Sequence, residues 1–184
     1  MAIIQNERLH DVLYQSLWMS YSDIQDIADT DTIPDRGSVS YISGFMERFV
    51  RADKLFTPDG FDTLTQRFRA SRERGQPFYN KEVADFALFS LGMVPEGLDG
   101  KGLTSFYADT GSASYSWLYT QSSFPTFQEL AENFLLYCAV ITKARDRYMR
   151  IEEDGRGGIR IVPAYENVRF RGVQEPDGNL RKLN

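Results

Sequence analysis

The chain has 184 residues, a net charge of −5, one cysteine, one histidine, thirteen Phe and ten Tyr. One domain spanning 1–184 fits that length. A single Cys and a single His exclude an intramolecular disulfide and the usual four-ligand zinc sites, so no metal and no cofactor are expected. No apolar run nears the roughly 20 residues of a membrane helix. Ala2-Ile3-Ile4 is too short for a signal-peptide core, and a cytoplasmic protein without membrane contact is the expectation.

The charge is uneven. Residues 1–60 hold ten acids against five bases, whereas residues 61–184 hold sixteen of each. The surplus gathers in Asp23, Asp26, Asp29, Asp31 and Asp35. This balance opposes a basic nucleic-acid footprint. The acidic segment is read first as a solvated helix face and second as a surface that steers a basic partner.

The first helix is expected over 6–28. Leu9, Val12, Leu13, Leu17, Ile24 and Ile27 recur at helical spacing, Asp23 and Asp26 turn outward, and Ser20–Ser22 offers a place to break. Pro34 and Gly37 punctuate a turn over 30–37. A second helix over about 38–53 places Val39, Ile42, Phe45, Met46, Phe49 and Val50 on one side. A third is framed by Thr57 as N-cap, Pro58 at the first helical position and Gly75 as stop. A fourth begins at the cap Asn80, uses Val83, Phe86, Ala87 and Leu91, and ends at Gly92 and Pro95.

The window 105–124 holds six serines, six aromatics and one charged residue, Asp109. Tyr115, Trp117 and Tyr119 alternate with small polar residues at strand period. Leu103–Tyr107 is its hairpin partner across a turn at Asp109–Ser114, and a helix from Ser112 is the competing reading. A fifth helix, capped by Thr126 and Glu129 at capping-box spacing, carries Leu130, Phe134, Tyr137, Cys138, Ile141 and Ala144 to about residue 147. A β hairpin follows, with strands 148–153 and 159–162 around a glycine-rich turn, then a third strand over 168–173 and a turn at 176–179. The expected fold class is therefore α+β: a mainly helical part over 1–147 with about five helices, and a small antiparallel sheet concentrated in 148–184.

Four constellations invite chemistry. Asp109-Thr110-Gly111-Ser112 resembles the aspartic-protease loop over four residues. Such an enzyme needs a second aspartate, supplied by dimerisation, so that one carboxyl acts as base and the other as acid. It also needs a later aliphatic pair before a glycine, which this chain lacks, and Asp109-Thr110-Gly111 reads more simply as a turn. Gly92–Gly102, with four glycines and Lys101, lacks phosphate-loop spacing and reads as a connector. Counting from Asp29, an EF-hand loop would put Pro34 at its glycine position and Ser40 at its glutamate position, so that calcium site is rejected. Arg67, Arg69, Arg72 and Arg74, and again Arg145, Arg147 and Arg150, complement helix C-termini. With Arg169, Arg171, Arg181 and Lys182 they are the residues a nucleic acid would use.

No nucleophile motif accompanies His10, and Cys138 lies on an apolar helix face, where thiols are inert. The expected function is a non-enzymatic protein-binding module of inhibitor, immunity or regulatory kind. Its expected contact residues are Tyr107, Tyr115, Trp117 and Tyr119, with Asp23 and Asp26 in the acidic segment. The alternatives are a hydrolase using Asp109 as acid/base and a nucleic-acid-associated protein using the arginines. Nothing in the chain specifies an oligomeric state.

Overall fold

The computed structural model describes residues 2–28, 35–51, 77–153 and 159–164. Over them run seven helices: α1 (Ala2–Ala28), α2 (Arg36–Arg51), α3 (Pro77–Met93), α4 (Pro95–Asp99), α5 (Thr104–Ser122), α6 (Pro125–Glu132) and α7 (Phe134–Tyr148). A hairpin of β1 (Met149–Glu153) and β2 (Ile159–Pro163) follows, antiparallel, with Ile151 opposite Ile161. The expected third helix over 57–75, the strand over 168–173 and the arginines they carry lie outside the described residues.

The α+β expectation is corrected. The described chain is a helical fold whose β structure is confined to that one short hairpin. It supplies no sheet layer for the helices to pack on. The decisive difference is the window 104–122, which is one helix instead of a hairpin and turn.

Helix α1 buries Leu9, Val12, Leu13, Leu17 and Tyr21, a stripe at three- and four-residue spacing. It runs unbroken through Ser20–Ser22. The hydroxyls of Ser16 and Ser22 bond back to the carbonyls of Val12 and Trp18, so they satisfy themselves without ending the helix. Helix α2 starts two residues before the expected position because Asp35 caps it. The carboxylate accepts from the Ser38 amide at 2.8 Å and from the Ser38 hydroxyl at 3.0 Å.

Helix α3 is the centre of the fold. Every residue from Val83 to Met93 is buried, the pattern of a helix enclosed on all sides. It begins at Pro77 rather than at the expected cap Asn80, since proline suits the first helical position. It packs against α5 and α7. A Cβ on Gly92 would stand 2.5 Å from Ile141, so glycine is what lets α3 and α7 approach there. The carbonyls that the helix leaves unpaired at the end of α3 are met from α7: Thr142 donates to Gly92 and Arg145 to Met93, both at 2.9 Å. Arg145 also forks onto Glu96, and those hydrogen bonds hold the Glu96 carboxyl down at about 2.

The expected connector 92–102 holds the short helix α4 and a tight turn. Gly102 sits at φ +67, a left-handed conformation glycine adopts without steric cost. The single helix expected from Thr126 is also two. Pro125 occupies the first turn of α6, no side chain caps it, and the chain breaks at Asn133 before α7. Thr126 and Glu129 form no capping box: Thr126 is buried, and Glu129 accepts from the Tyr137 hydroxyl at 3.0 Å.

Candidate functional site

Three helices converge on one carboxylate. Asp85, on α3, is 1% exposed. Its Oδ1 accepts from the hydroxyls of Tyr41 on α2 at 2.6 Å and Tyr115 on α5 at 2.9 Å. Its Oδ2 accepts from Lys81 Nζ, one turn back on α3, at 2.6 Å and from Arg48 Nη2 on α2 at 3.0 Å. A carboxylate offers about four acceptor positions, and all four are filled from within the chain. The enclosed charge is thereby paired, as burial demands. Burial first, then the Asp85 charge beside them, pushes both phenols well above their ordinary value, so both hydroxyls keep their protons and donate.

The cations end at the surface. The Arg48 side chain is 59% exposed and that of Lys81 31%. The Lys81 ammonium also lies 4.7 Å from the centre of the Tyr41 ring, within cation–π range. From Tyr41 an aromatic ladder leads outward. Its ring meets Phe127 edge-on at 5.7 Å, Phe127 stacks on Tyr115 at 6.0 Å, and Phe124 meets Phe127 edge-on at 5.5 Å. Phe124 is 50% exposed. Ser123 sets it there by turning the chain through φ 55 after α5, its amide closing onto the Tyr119 carbonyl. The corner between α5 and α6 therefore presents a half-exposed ring, backed by rings that lead through Phe127 to Tyr41 and the Lys81 ammonium over it.

The sequence-expected contact residues are dispersed by this geometry. Tyr107 and Tyr115 are 1% and 0% exposed, so neither can anchor a partner: both lie on the inner face of α5. Trp117 and Tyr119 are half-buried, on opposite edges of that helix. Asp23 pairs with Arg147 across α1 and α7. Asp26 lies on α1, its side chain outside the description. Of the six, only Tyr115 joins the constellation, from beneath.

Asp109 is exposed on the outer face of α5. The motif around it is a stretch of helix rather than a turn. A Cβ on Gly111 would lie 2.3 Å from the Phe134 ring and 3.0 Å from Ala87, and Ser112 donates to the Ala131 carbonyl at 2.9 Å. Helix packing accounts for both residues.

A serine–histidine contact also emerges. Ser43 Oγ lies 2.9 Å from His10 Nε2 and donates to the Ser40 carbonyl at 2.8 Å. With its proton given to Ser40, Ser43 accepts from His10, the reverse of what activates a nucleophile. Ser43 is fully buried, and Asp11 stands 3.8 Å from His10 Nδ1, beyond hydrogen-bonding distance. The contact ties α1 to α2.

The residues that sequence reasoning missed are Asp85, Lys81, Tyr41 and Arg48. One signal was present. Asp85 is the lone charge in an apolar stretch from Val83 to Met93, and such a charge requires partners. Lys81 is its neighbour at four residues, and Tyr41 and Arg48 share a face at heptad spacing.

Among the described residues no group of three or more His, Cys, Asp or Glu side chains is placed to hold a metal. No described helix is long and apolar enough to cross a membrane. No protein-family model matches the chain, and neither does any curated protein or solved structure.

Proposed function

We propose that the chain is a non-enzymatic protein-binding module whose contact surface is the corner between α5 and α6, centred on Phe124. The observation that carries this reading is the half-exposed Phe124 ring at the end of an aromatic ladder whose other end is fixed to Asp85. Interface energy concentrates in aromatic and arginine side chains held in place before the partner arrives. Leu135, although 63% exposed, is aliphatic, and no ring contact ties it to that ladder. Single exposed apolar residues of that kind are ordinary surface.

Two features support a non-enzymatic role. The Asp85 carboxylate has spent its acceptor positions on its own chain, which leaves it no free position for a substrate proton. Beyond the corner, the outer face of α5 carries Ser116 and Thr120, the small Ala113 and one charge, Asp109. Such uncharged small polar residues edged by Trp117 and Tyr119 suit adaptable contact. A cytoplasmic setting belongs to this reading, supported by the single cysteine, Cys138, which is free and buried.

Photo-crosslinking in the native host tests it. A benzophenone-bearing phenylalanine analogue in place of Phe124 should yield a discrete protein adduct, and the same analogue in place of Ser105 should not. Equal adducts at both positions, or none at Phe124, would refute the placement.

A further inference from the structure

The geometry points to an acidic peptide segment as the partner of this corner: a carboxylate received by Arg48 and Lys81 while a neighbouring apolar side chain packs on Phe124. The inference rests on the reading of the corner as a protein-binding surface and names the chemistry that surface takes.

Two cations meet one enclosed anion, so the Asp85 cluster itself carries one surplus positive charge in a chain whose net charge is −5. A visitor meets only the cations, because Asp85 is covered by its four donors and 1% exposed. Asp85 occupies a single nitrogen of Arg48, while a guanidinium carries five N–H donors in a planar fork suited to a second carboxylate. Lys81 spends one of its donors on Asp85 and lies over Tyr41. Both cations are thus held in position before the partner arrives, which lowers the ordering cost of binding. Glu47 and Glu82 follow or precede these cations by one residue, about 100° round their helices. They therefore do not share the face with Tyr41.

The apolar half of the site is Phe124 with the edges of Phe127 and Tyr41, which are half-buried. A carboxylate next to an aromatic or aliphatic side chain satisfies both halves at once. A nucleic-acid backbone is less well served. Two cations in a net-acidic chain release few counterions, and counterion release is what drives such binding.

The test is selection of a display library of random short peptides on the full chain, followed by binding of the selected peptides to variants checked for folding by circular dichroism. The expected result is enrichment of Asp or Glu within two residues of an aromatic or aliphatic side chain. Binding should weaken by at least about tenfold in Phe124→Ala and in Arg48→Gln, and should weaken with added salt. Arg48→Lys, which keeps the ion pair to Asp85, serves if Arg48→Gln does not fold. It should keep the salt dependence and lose part of the affinity. Selected peptides that need Phe124 yet show no acidic enrichment, and bind Arg48→Gln unchanged, would overturn the acidic chemistry and leave the corner standing. Selection of no peptide that depends on Phe124 would overturn the corner and this inference together. Labelled oligothymidylate binding more tightly than any selected peptide, and in an Arg48-dependent way, would overturn it in favour of phosphate.

Discussion

The Tyr115 hydroxyl donates to Asp85 Oδ1 at 2.9 Å, and both side chains are closed off from solvent. A hydrogen bond from a neutral donor to an enclosed carboxylate is among the stronger kinds, worth about 1.5–3 kcal/mol. Tyr115→Phe should therefore lower the unfolding free energy by about 1.5–3 kcal/mol in urea titration. Tyr119→Phe, at a half-buried position on the edge of α5, should change it by less than about 0.5 kcal/mol. Equal effects from the two would show that the Asp85 network contributes nothing to the fold.

Alkaline stability follows from the same burial. Tyr41, Tyr115 and Tyr137 are all pushed above the ordinary phenol value of 10.0 by burial first and then by a neighbouring carboxylate, and Tyr107, pushed up to about 12, by burial alone. A raised phenol is protonated in the folded chain while the unfolded chain releases the proton. The stabilisation is complete below the unfolded value, near pH 10, and is lost as pH rises through the folded values. Urea midpoints should be flat approaching pH 10 and fall steeply above it, with tyrosinate absorbance rising together with loss of helix. Tyrosinate absorbance that rises fully while helix content stays native would contradict this.

Glycine positions give a paired prediction of opposite sign. Gly111→Ala places a methyl group 2.3 Å from the Phe134 ring. Overpacking of that kind costs about 1–3 kcal/mol, more than helix propensity returns. Gly44, in the interior of α2, has nothing within 4 Å of an added Cβ. Gly44→Ala should stabilise by about 0.5–1 kcal/mol. Thermal melts of the two variants should move in opposite directions, and a shared direction would refute the close approach of α5 to α7.

Cys138 should be chemically silent. Burial pushes its thiol up to about 12 from 9.0, and the thiolate is the reactive species. A disulfide reagent at mildly alkaline pH should label the folded chain only as fast as it unfolds, and the urea-unfolded chain at once. Rapid labelling of the folded chain would contradict the burial of the α7 inner face.

Much of the helical frame was legible in the sequence. The stripe from Leu9 to Leu17 and the stripe from Val39 to Met46 are apolar at helical spacing and buried as expected. Helix α5 was not legible for a physical reason. Its buried face is Tyr107, Thr110, Gly111, Ser114, Tyr115 and Leu118, correct in spacing but half composed of small residues, Thr110, Gly111 and Ser114, none of them strongly apolar. Close helix approach selects residues for size, and a hydropathy pattern does not register size. The alternation of Tyr115, Trp117 and Tyr119 then imitated a strand. The long final helix was divided because Asn133 leaves helical geometry at φ −112, a change no composition signal marked. The Asp85 constellation was hidden for another reason. Tyr41, Arg48 and Tyr115 lie 44, 37 and 30 residues from Asp85 in sequence, and only Lys81 is a local neighbour.

Whether Phe124 anchors a partner is decided by quantitative affinity capture from the native host with the wild-type chain, Phe124→Ala and Leu135→Ala side by side. At least one protein should be retained equally by the wild type and Leu135→Ala and depleted at least about tenfold by Phe124→Ala, the scale of an interface anchor. Retention that is the same in all three, or that falls with Leu135→Ala and not with Phe124→Ala, would contradict it.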